Sequence, residues 1–145
     1  MLNQSIDVAV VGGGMVGAAA ALGLAQNGFQ VAVIEHQAPA AFDAASPPDV
    51  RISAISSASV ALLKSLGVWD TVRAMRSHAY RQLETWEWES AHVSFNAQEL
   101  GLPELGYMVE NQVLQLALWQ ALEAHPNVRL LCPARIDTMH QQAGR

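Results

Sequence analysis

The feature that most constrains the fold is a cluster of glycines close to the N-terminus. Residues 12–17 read Gly-Gly-Gly-Met-Val-Gly, which matches the G-x-G-x-x-G pattern of dinucleotide-binding turns. A short β-branched run, residues 6–11, precedes the pattern, and an Ala- and Leu-rich run without proline, residues 15–27, follows it. A second apolar run, residues 30–35, ends on Glu35, 18 residues after the last glycine of the pattern. This order of strand, glycine turn, helix and strand predicts a Rossmann-like βαβ unit.

Each position of the pattern has a physical reason. The first glycine allows the tight turn, the second lets the backbone approach a pyrophosphate, and the third lets the helix pack close to the strand. The helix N-terminus offers unpaired N–H groups and a positive dipole to the phosphates. Glu35 can accept hydrogen bonds from ribose hydroxyls and would repel a 2′-phosphate, which favours FAD or NAD over NADP. The predicted cofactor-binding residues are Gly12, Gly14, Met15, Val16, Gly17 and Glu35.

Composition and charge exclude several other classes of protein. The 145 residues are 51% hydrophobic and carry 8 Lys and Arg against 13 Asp and Glu, a net charge of −5. This hydrophobic content argues against a disordered chain, because disorder goes with low hydrophobicity and high net charge. The scattered basic residues do not predict a nucleic-acid-binding surface. The single cysteine, Cys132, fits a reducing compartment, and the five histidines show no metal-ligand spacing.

The uncharged stretch over residues 8–25 resembles a targeting or membrane segment only at first sight. No Lys or Arg precedes Arg51, so the basic region of a signal peptide is missing. The glycines within the stretch would also weaken a membrane-spanning helix. We therefore expect a cytoplasmic protein without a transmembrane segment.

The rest of the chain continues the alternation of helices and strands. Residues 83–95 mix Trp, Val and Phe with Glu at a period closer to two than to 3.6, which predicts antiparallel strands with one wet face. The predicted elements are a helix stopped by Gly28, a loop (36–50), a helix capped by Ser56 or Ser57 and closed by Gly67, a further helical stretch (68–75), the antiparallel strands (83–95), a helix (111–124) and a strand (128–131).

Several stretches together carry a family resemblance. They are the glycine pattern, Glu35, residues 49–55 (DVRISAI), residues 83–89 (LETWEWE) and residues 106–111 (GYMVEN) with Leu114 and Leu118 after them. These stretches resemble the aromatic-ring flavoprotein monooxygenases, and most closely the ubiquinone-biosynthesis hydroxylases. The glycine pattern is shared by many flavin and nicotinamide proteins, whereas the Arg-Ile-Ser-Ala-Ile block is much more selective.

The resemblance implies an α/β fold with a Rossmann-like FAD-binding βαβ unit and the beginning of an antiparallel β substrate domain. It implies a first part of the FAD-binding domain over residues 1–78, substrate-domain strands over 79–108, and a return to the FAD-binding domain over 109–145. Family members are longer than this chain and carry downstream Asp-Gly and Gly-Asp motifs that are not in the sequence. We therefore expect an N-terminal portion, truncated before the later elements, that catalyses nothing on its own.

The resemblance adds two residues to the predicted cofactor site. Arg51 corresponds to an arginine that approaches the flavin cofactor, and its planar guanidinium suits a pyrophosphate. A surface ion pair with Asp49 is the alternative explanation for Arg51. Asn111 falls where the family carries an Arg or Gln that contacts the cofactor, and helix capping explains an asparagine there equally well.

The implied activity is FAD-dependent hydroxylation of the ring of a polyprenylated quinol in ubiquinone biosynthesis. NAD(P)H is the implied electron donor, O2 the oxygen source, and other ubiquinone-biosynthesis proteins the further partners, with peripheral association at the inner membrane. The cofactor supplies the oxygen chemistry, so no side chain is predicted to be catalytic. A non-catalytic dinucleotide-binding module and an NAD-dependent oxidoreductase are the alternatives.

Overall fold

The computed structural model describes residues 5–141, which form four helices and eight strands in the described part. In chain order they are β1 (Val8–Val11), α1 (Met15–Gln26), β2 (Val31–Ile34), β3 (Ile52–Ser56), α2 (Ser57–Ser65), α3 (Trp69–Met75), β4 (His78–Tyr80), β5 (Gln82–Trp86), β6 (His92–Asn96), β7 (Gly106–Glu110), α4 (Asn111–Ala124) and β8 (Val128–Leu131). They divide into two compact units, one formed by residues up to Ala40 and from Leu118 onward, the other by Ala41–Ala117.

The first unit is built on a parallel sheet with the strand order β1-β2-β8. Val8 lies opposite Val31, and Val31 lies opposite Val128, so the central strand β2 is paired along both edges. Val31 and Val33 are fully buried on one face of β2, and Ala32 between them is 5% exposed on the other, so β2 is covered on both faces. Helix α1 buries Ala18, Ala21, Leu22 and Ala25 in this unit. The predicted βαβ unit is confirmed.

The second unit contains an antiparallel sheet with the order β3-β7-β4. Its helices α2 and α3 bury Val60, Leu63 and Val72, and the rings of Trp69 and Tyr107 meet edge to face at 4.9 Å. A separate two-stranded sheet pairs β5 with β6.

The helix boundaries follow the stop and cap signals of the sequence. Gly28 ends α1 with a φ of +92° and Gly67 follows α2 with a φ of +76°, a region that L side chains rarely adopt. The Ser59 N–H donates to the Ser56 Oγ at 3.3 Å, so Ser56 and not Ser57 is the cap of α2.

The strand predictions are confirmed in part. Strands β5, β6 and β8 lie where alternation and apolar runs predict them, whereas β3 and β7 were not predicted as strands from their own sequences. The prediction that only one face of the β5–β6 pair is wet is wrong for residues 5–141, because nearly every side chain of both strands is exposed there. The domain boundaries at 78/79 and 108/109 stay predictions.

No helix within residues 5–141 is long and apolar enough to cross a membrane.

A core substitution should separate packing from surface effects. Leu22 is 1% exposed in α1, so we expect Leu22→Ala to lower the free energy of unfolding by about 2–5 kcal/mol through lost burial and an unfilled cavity. Leu62→Ala, at a residue 53% exposed on α2, is the matched control and should change it by roughly 0.5 kcal/mol or less. Urea denaturation measures both, and equal losses would contradict the burial assigned to Leu22.

Candidate dinucleotide-binding site

The turn after β1 requires a glycine at its first position. Gly12 has a φ of +101°, in the region that L side chains rarely adopt. Its N–H donates to the carbonyl of Ile34 at 2.9 Å, which continues the pairing of β1 with β2 by one residue. The chain therefore leaves the sheet at a point fixed by a backbone hydrogen bond.

The other two glycines of the pattern lie in different surroundings. A Cβ on Gly17 would collide with the carbonyl oxygen of Gly12, so the close approach of α1 to the turn requires a glycine. Gly14 is the N-cap residue of α1 with a φ of −67°, and a Cβ there would have nothing within 4 Å apart from its chain neighbours. Packing explains Gly17 but gives no reason for Gly14.

The N-terminus of α1 is open to an anion. Within residues 5–141 no side chain caps it, and its first turn, which begins with Met15 and Val16, contains no acidic residue. The first backbone N–H groups of a helix have no partner inside the helix and carry the positive end of its dipole. Val16 is 79% exposed, so this end of the helix faces solvent.

Glu35 follows β2 and is one of the two buried charged residues of the described chain. Its Oε2 accepts the Gly13 N–H at 2.6 Å, and its Oε1 accepts the N–H groups of His36 at 2.7 Å and Gln37 at 3.2 Å. The His36 ring also pairs with Oε1. The Gly13 hydrogen bond above all, with those of Gln37 and His36 and the His36 charge, holds the pKa of Glu35 below its usual range although burial opposes this.

Trp119 of α4 completes the support of the turn. Its indole Nε1 donates to the carbonyl of Gly13 at 2.6 Å, so both polar atoms of Gly13 are engaged by side chains distant in sequence. A Cβ on Gly13 would lie 2.8 Å from the Trp119 ring. The sequence prediction missed Trp119, although a tryptophan within the apolar stripe of a helix needs an acceptor for its N–H when buried.

A cavity of about 380 Å³ opens beside the turn. Its lining residues are Val11, Gly12, Ile34, Glu35, His36, Ala134, Arg135 and Ile136. The Ala134 N–H donates to the Glu35 carbonyl at 2.8 Å, which holds residues 134–136 against the end of β2. No sequence signal predicts these three residues, because they follow β8 without a motif of their own.

Arg51 and Asn111 belong to the second unit and are neighbours there. The Asn111 N–H donates to the Arg51 carbonyl at 2.9 Å, and the Asn111 Oδ1 accepts the Ser53 hydroxyl at 2.5 Å. The backbone N–H of Arg51 donates to Oδ1 of Asp49 at 3.1 Å, so these two residues are joined by a backbone hydrogen bond rather than by an ion pair. The guanidinium of Arg51 is exposed and has no hydrogen bond or ion pair to any residue in the described range 5–141.

Each unit offers binding chemistry of its own. In the first unit, the turn and helix present N–H donors and Glu35 presents an ionised acceptor. In the second unit, Arg51 presents a free planar cation. Among the residues that the structure describes, no group of three or more His, Cys, Asp or Glu could hold a metal ion.

Comparison with known proteins places these features in a family context. Residues 5–144 match the family model described as FAD binding domain. The chain is 69% identical over 141 residues to 3-demethoxyubiquinol 3-hydroxylase of Escherichia coli (strain K12), covering 97% of this chain and 36% of that protein. It is 36% identical over 139 residues to ubiquinone hydroxylase UbiL of Rhodospirillum rubrum, covering 96% of this chain and 32% of that protein. The chain thus spans about a third of the length of these curated relatives.

A solved structure shows the same fold. The crystal structure of p-nitrophenol 4-monooxygenase PnpA from Pseudomonas putida DLL-E4 matches with a TM-score of 0.69 at 22% identity, covering 94% of this chain and 33% of that one. The α/β fold and the resemblance found in the sequence motifs are confirmed.

The packing of Trp119 on Gly13 can be tested by a pair of substitutions. Gly13→Ala places a methyl group against the indole ring, so we expect it to cost about 1–3 kcal/mol of unfolding free energy. Trp119→Phe removes the ring atoms that the methyl would meet. The double variant should therefore be more stable than the sum of the two single losses predicts, by roughly 0.5 kcal/mol or more in urea denaturation. Strict additivity would show that the two residues do not touch.

The lowered pKa of Glu35 predicts a pH dependence of stability. Because folding lowers this pKa below 4.5, the carboxylate contributes stability that is complete above that pH and is lost as the pH falls through the folded-state pKa. Glu35→Gln removes the contribution, so wild type and variant should differ most near neutral pH and converge in acid. Denaturation across this range measures the difference, with the exposed Glu99→Gln as control. A difference that stays constant with pH would contradict the assigned ionisation.

Proposed function

The chain belongs to the FAD-binding domain family, and we propose that it forms the FAD-binding portion of a flavin-dependent hydroxylase of ubiquinone biosynthesis. The substrate class is a polyprenylated quinol, and the name of the Escherichia coli relative suggests demethoxyubiquinol. The observation that carries the proposal is the glycine turn, where Gly14 has space beside an open helix N-terminus.

The residues of the first unit fit the dinucleotide part of FAD. A pyrophosphate suits the N–H groups at Gly14, Met15 and Val16, because an anion complements the dipole and the unpaired donors of a helix N-terminus. Gly12 and Gly17 act indirectly, since they let the turn and the helix form as they do.

Glu35 suits a ribose hydroxyl. A carboxylate has about four lone-pair sites, and the second site on Oε2 remains beside the Gly13 hydrogen bond. The lowered pKa keeps the group ionised at neutral pH, so it would repel a 2′-phosphate. This favours FAD or NAD over NADP at this position, and the family model favours FAD.

Two residues of the second unit have cofactor-binding chemistry of their own. The free guanidinium of Arg51 can bind a phosphate or another electron-rich group of the cofactor in a bidentate manner. Asn111 lies beside the Arg51 backbone and can contact the cofactor through its amide, whose carbonyl already accepts the Ser53 hydroxyl. The strands over 79–108 would belong to the substrate domain.

In the proposed reaction, one ring C–H, O2, NAD(P)H and a proton give a ring C–OH, NAD(P)+ and water. The flavin, when bound, supplies the electron and oxygen transfer, and the chain's own residues bind it and fix its orientation. A polyprenylated substrate also favours a place at the inner membrane surface, reached from the cytoplasm and shared with other proteins of the same pathway.

Gly14→Val separates cofactor binding from folding. Valine fits the space at Gly14 and its ordinary φ, so we expect secondary structure to be retained while FAD binding falls at least about a hundredfold from obstruction of the pyrophosphate. Ala20→Val, at an exposed residue of α1, is the matched control and should leave FAD binding unchanged. Circular dichroism and FAD titration give the two readings. Normal FAD affinity in Gly14→Val would reject the proposed binding mode.

The activity is tested with FAD, NAD(P)H, O2 and a demethoxyubiquinol analogue. A protein extended to the length of the relatives should give product one oxygen atom heavier by mass spectrometry. We expect residues 1–145 alone to give none, because they span only about a third of the length of the relatives and leave the proposed substrate-domain strands β5 and β6 uncovered within residues 5–141. Binding of NAD in place of FAD, or no product from the extended protein, would reject the proposed function.

A further inference from the structure

A buried carboxylate lies at the end of β7, directly before α4. Glu110 is 8% exposed, and both of its oxygens are engaged. Its Oε1 accepts Nη1 of Arg76 at 3.0 Å, and its Oε2 accepts the backbone N–H of Asp49 at 2.8 Å. A buried charge is tolerated only when it is paired and hydrogen-bonded, so these two partners are conditions for its burial.

Arg76 also binds the loop of residues 42–50, which contains Asp49. Its Nη2 donates to the carbonyls of Ala44 at 3.3 Å and Ser46 at 2.9 Å. Its guanidinium also stacks over the ring of Phe42, 5.2 Å from the ring centre. One side chain therefore fixes three points of the 42–50 loop, which contains no helix or strand of its own.

The loop leads directly to Arg51. Asp49, which is held by Glu110, accepts the Arg51 N–H with its own side chain at 3.1 Å. The Arg51 carbonyl accepts the Asn111 N–H, and Asn111 follows Glu110 in the chain. The backbone of Arg51 is thus held at its N–H by Asp49 and at its carbonyl by Asn111. Glu110 binds the first of these residues and precedes the second in the chain, while the Arg51 guanidinium stays exposed.

We propose that Arg76 and Glu110 form a latch that fastens the 42–50 loop and thereby positions the Arg51 guanidinium for its ligand. The inference rests on the proposed function in one respect, the identity of that ligand as FAD. Neither residue is proposed to touch the ligand. A loop fastened in advance loses less conformational entropy on binding, so the latch raises affinity through pre-organisation.

Each variant replaces one of the two residues of the latch by a chemically similar side chain. Arg76→Lys retains a cation for Glu110 but replaces the two-pronged guanidinium by a single donor centre, which cannot reach the loop carbonyls and the carboxylate from separate nitrogens. Glu110→Gln retains the shape and an acceptor. The matched controls are Arg73→Lys, at an exposed residue of α3, and Glu99→Gln, also exposed. Circular dichroism confirms that each variant is folded.

The first measurement is hydrogen exchange without FAD, which tests the latch alone. Because each lost charge-assisted hydrogen bond frees part of the loop, amide exchange over residues 42–50 should rise about tenfold in Arg76→Lys and Glu110→Gln. The controls should exchange at the wild-type rate. Unchanged exchange over this loop in both latch variants would overturn the proposal.

The second measurement is a double-mutant cycle on FAD affinity. Arg76→Lys should weaken FAD binding about fivefold to tenfold in the wild-type background and hardly at all in the Arg51→Ala background, since the latch acts through Arg51. An equal loss in both backgrounds would overturn the positioning role. A wild-type protein that binds no FAD would reject the proposed function, and with it the link to Arg51, while the exchange result still decides whether the latch exists.

Discussion

The hydrogen bond from the Gly13 N–H to the Glu35 carboxylate joins the turn after β1 to the end of β2, and the first unit depends on it. Because the acceptor is ionised and buried, this bond is stronger than a neutral one. Trp119 engages the carbonyl of Gly13, so the peptide group is held from both sides. Glu35 therefore supports the turn as well as being the proposed ribose contact, which makes Gly14 the cleaner position for separating binding from folding.

The two buried carboxylates of the described chain show two ways of keeping a charge inside a protein. Glu35 is surrounded mainly by backbone N–H groups, with an imidazole beside it. Glu110 relies on the guanidinium of Arg76 and one backbone N–H, that of Asp49. In both cases the carboxylate follows or ends a strand and restrains a loop rather than another regular element. The loops that carry the proposed binding residues are thus held by charge, whereas the helices are held by apolar packing.

The parts of the fold and of the candidate site that could be predicted from the sequence are those that have local signals. Gly17 and Gly28 act on their own neighbourhood, and the alternation over β5 and β6 is visible residue by residue. The partners of Gly13 and Asp49 are 106 and 61 residues away in Trp119 and Glu110, and no local pattern indicates such pairs.

Strands β3 and β7 were missed for a related reason. Each is five residues long and carries polar or glycine positions among its apolar ones, so neither shows a run that identifies a strand alone. Their pairing from Ile52 with Glu110 to Ser56 with Gly106 creates the sheet, and pairing partners are a property of the folded chain. The prediction for Arg51 and Asn111 came from the family resemblance, and their adjacency emerged only from this register.

The β5–β6 pair has a consequence for self-association. Within residues 5–141 it is a sheet of two strands, so each strand has an outer edge that pairs with no other strand. Leu83, Val93 and Phe95 are exposed on one face of this pair. Unpaired strand edges beside an exposed apolar face are the pattern from which intermolecular strand addition and fibril growth begin. Glu84 within β5 and the acidic Glu87 and Glu89 after it act as gatekeepers, because like charges brought together by stacking chains repel one another.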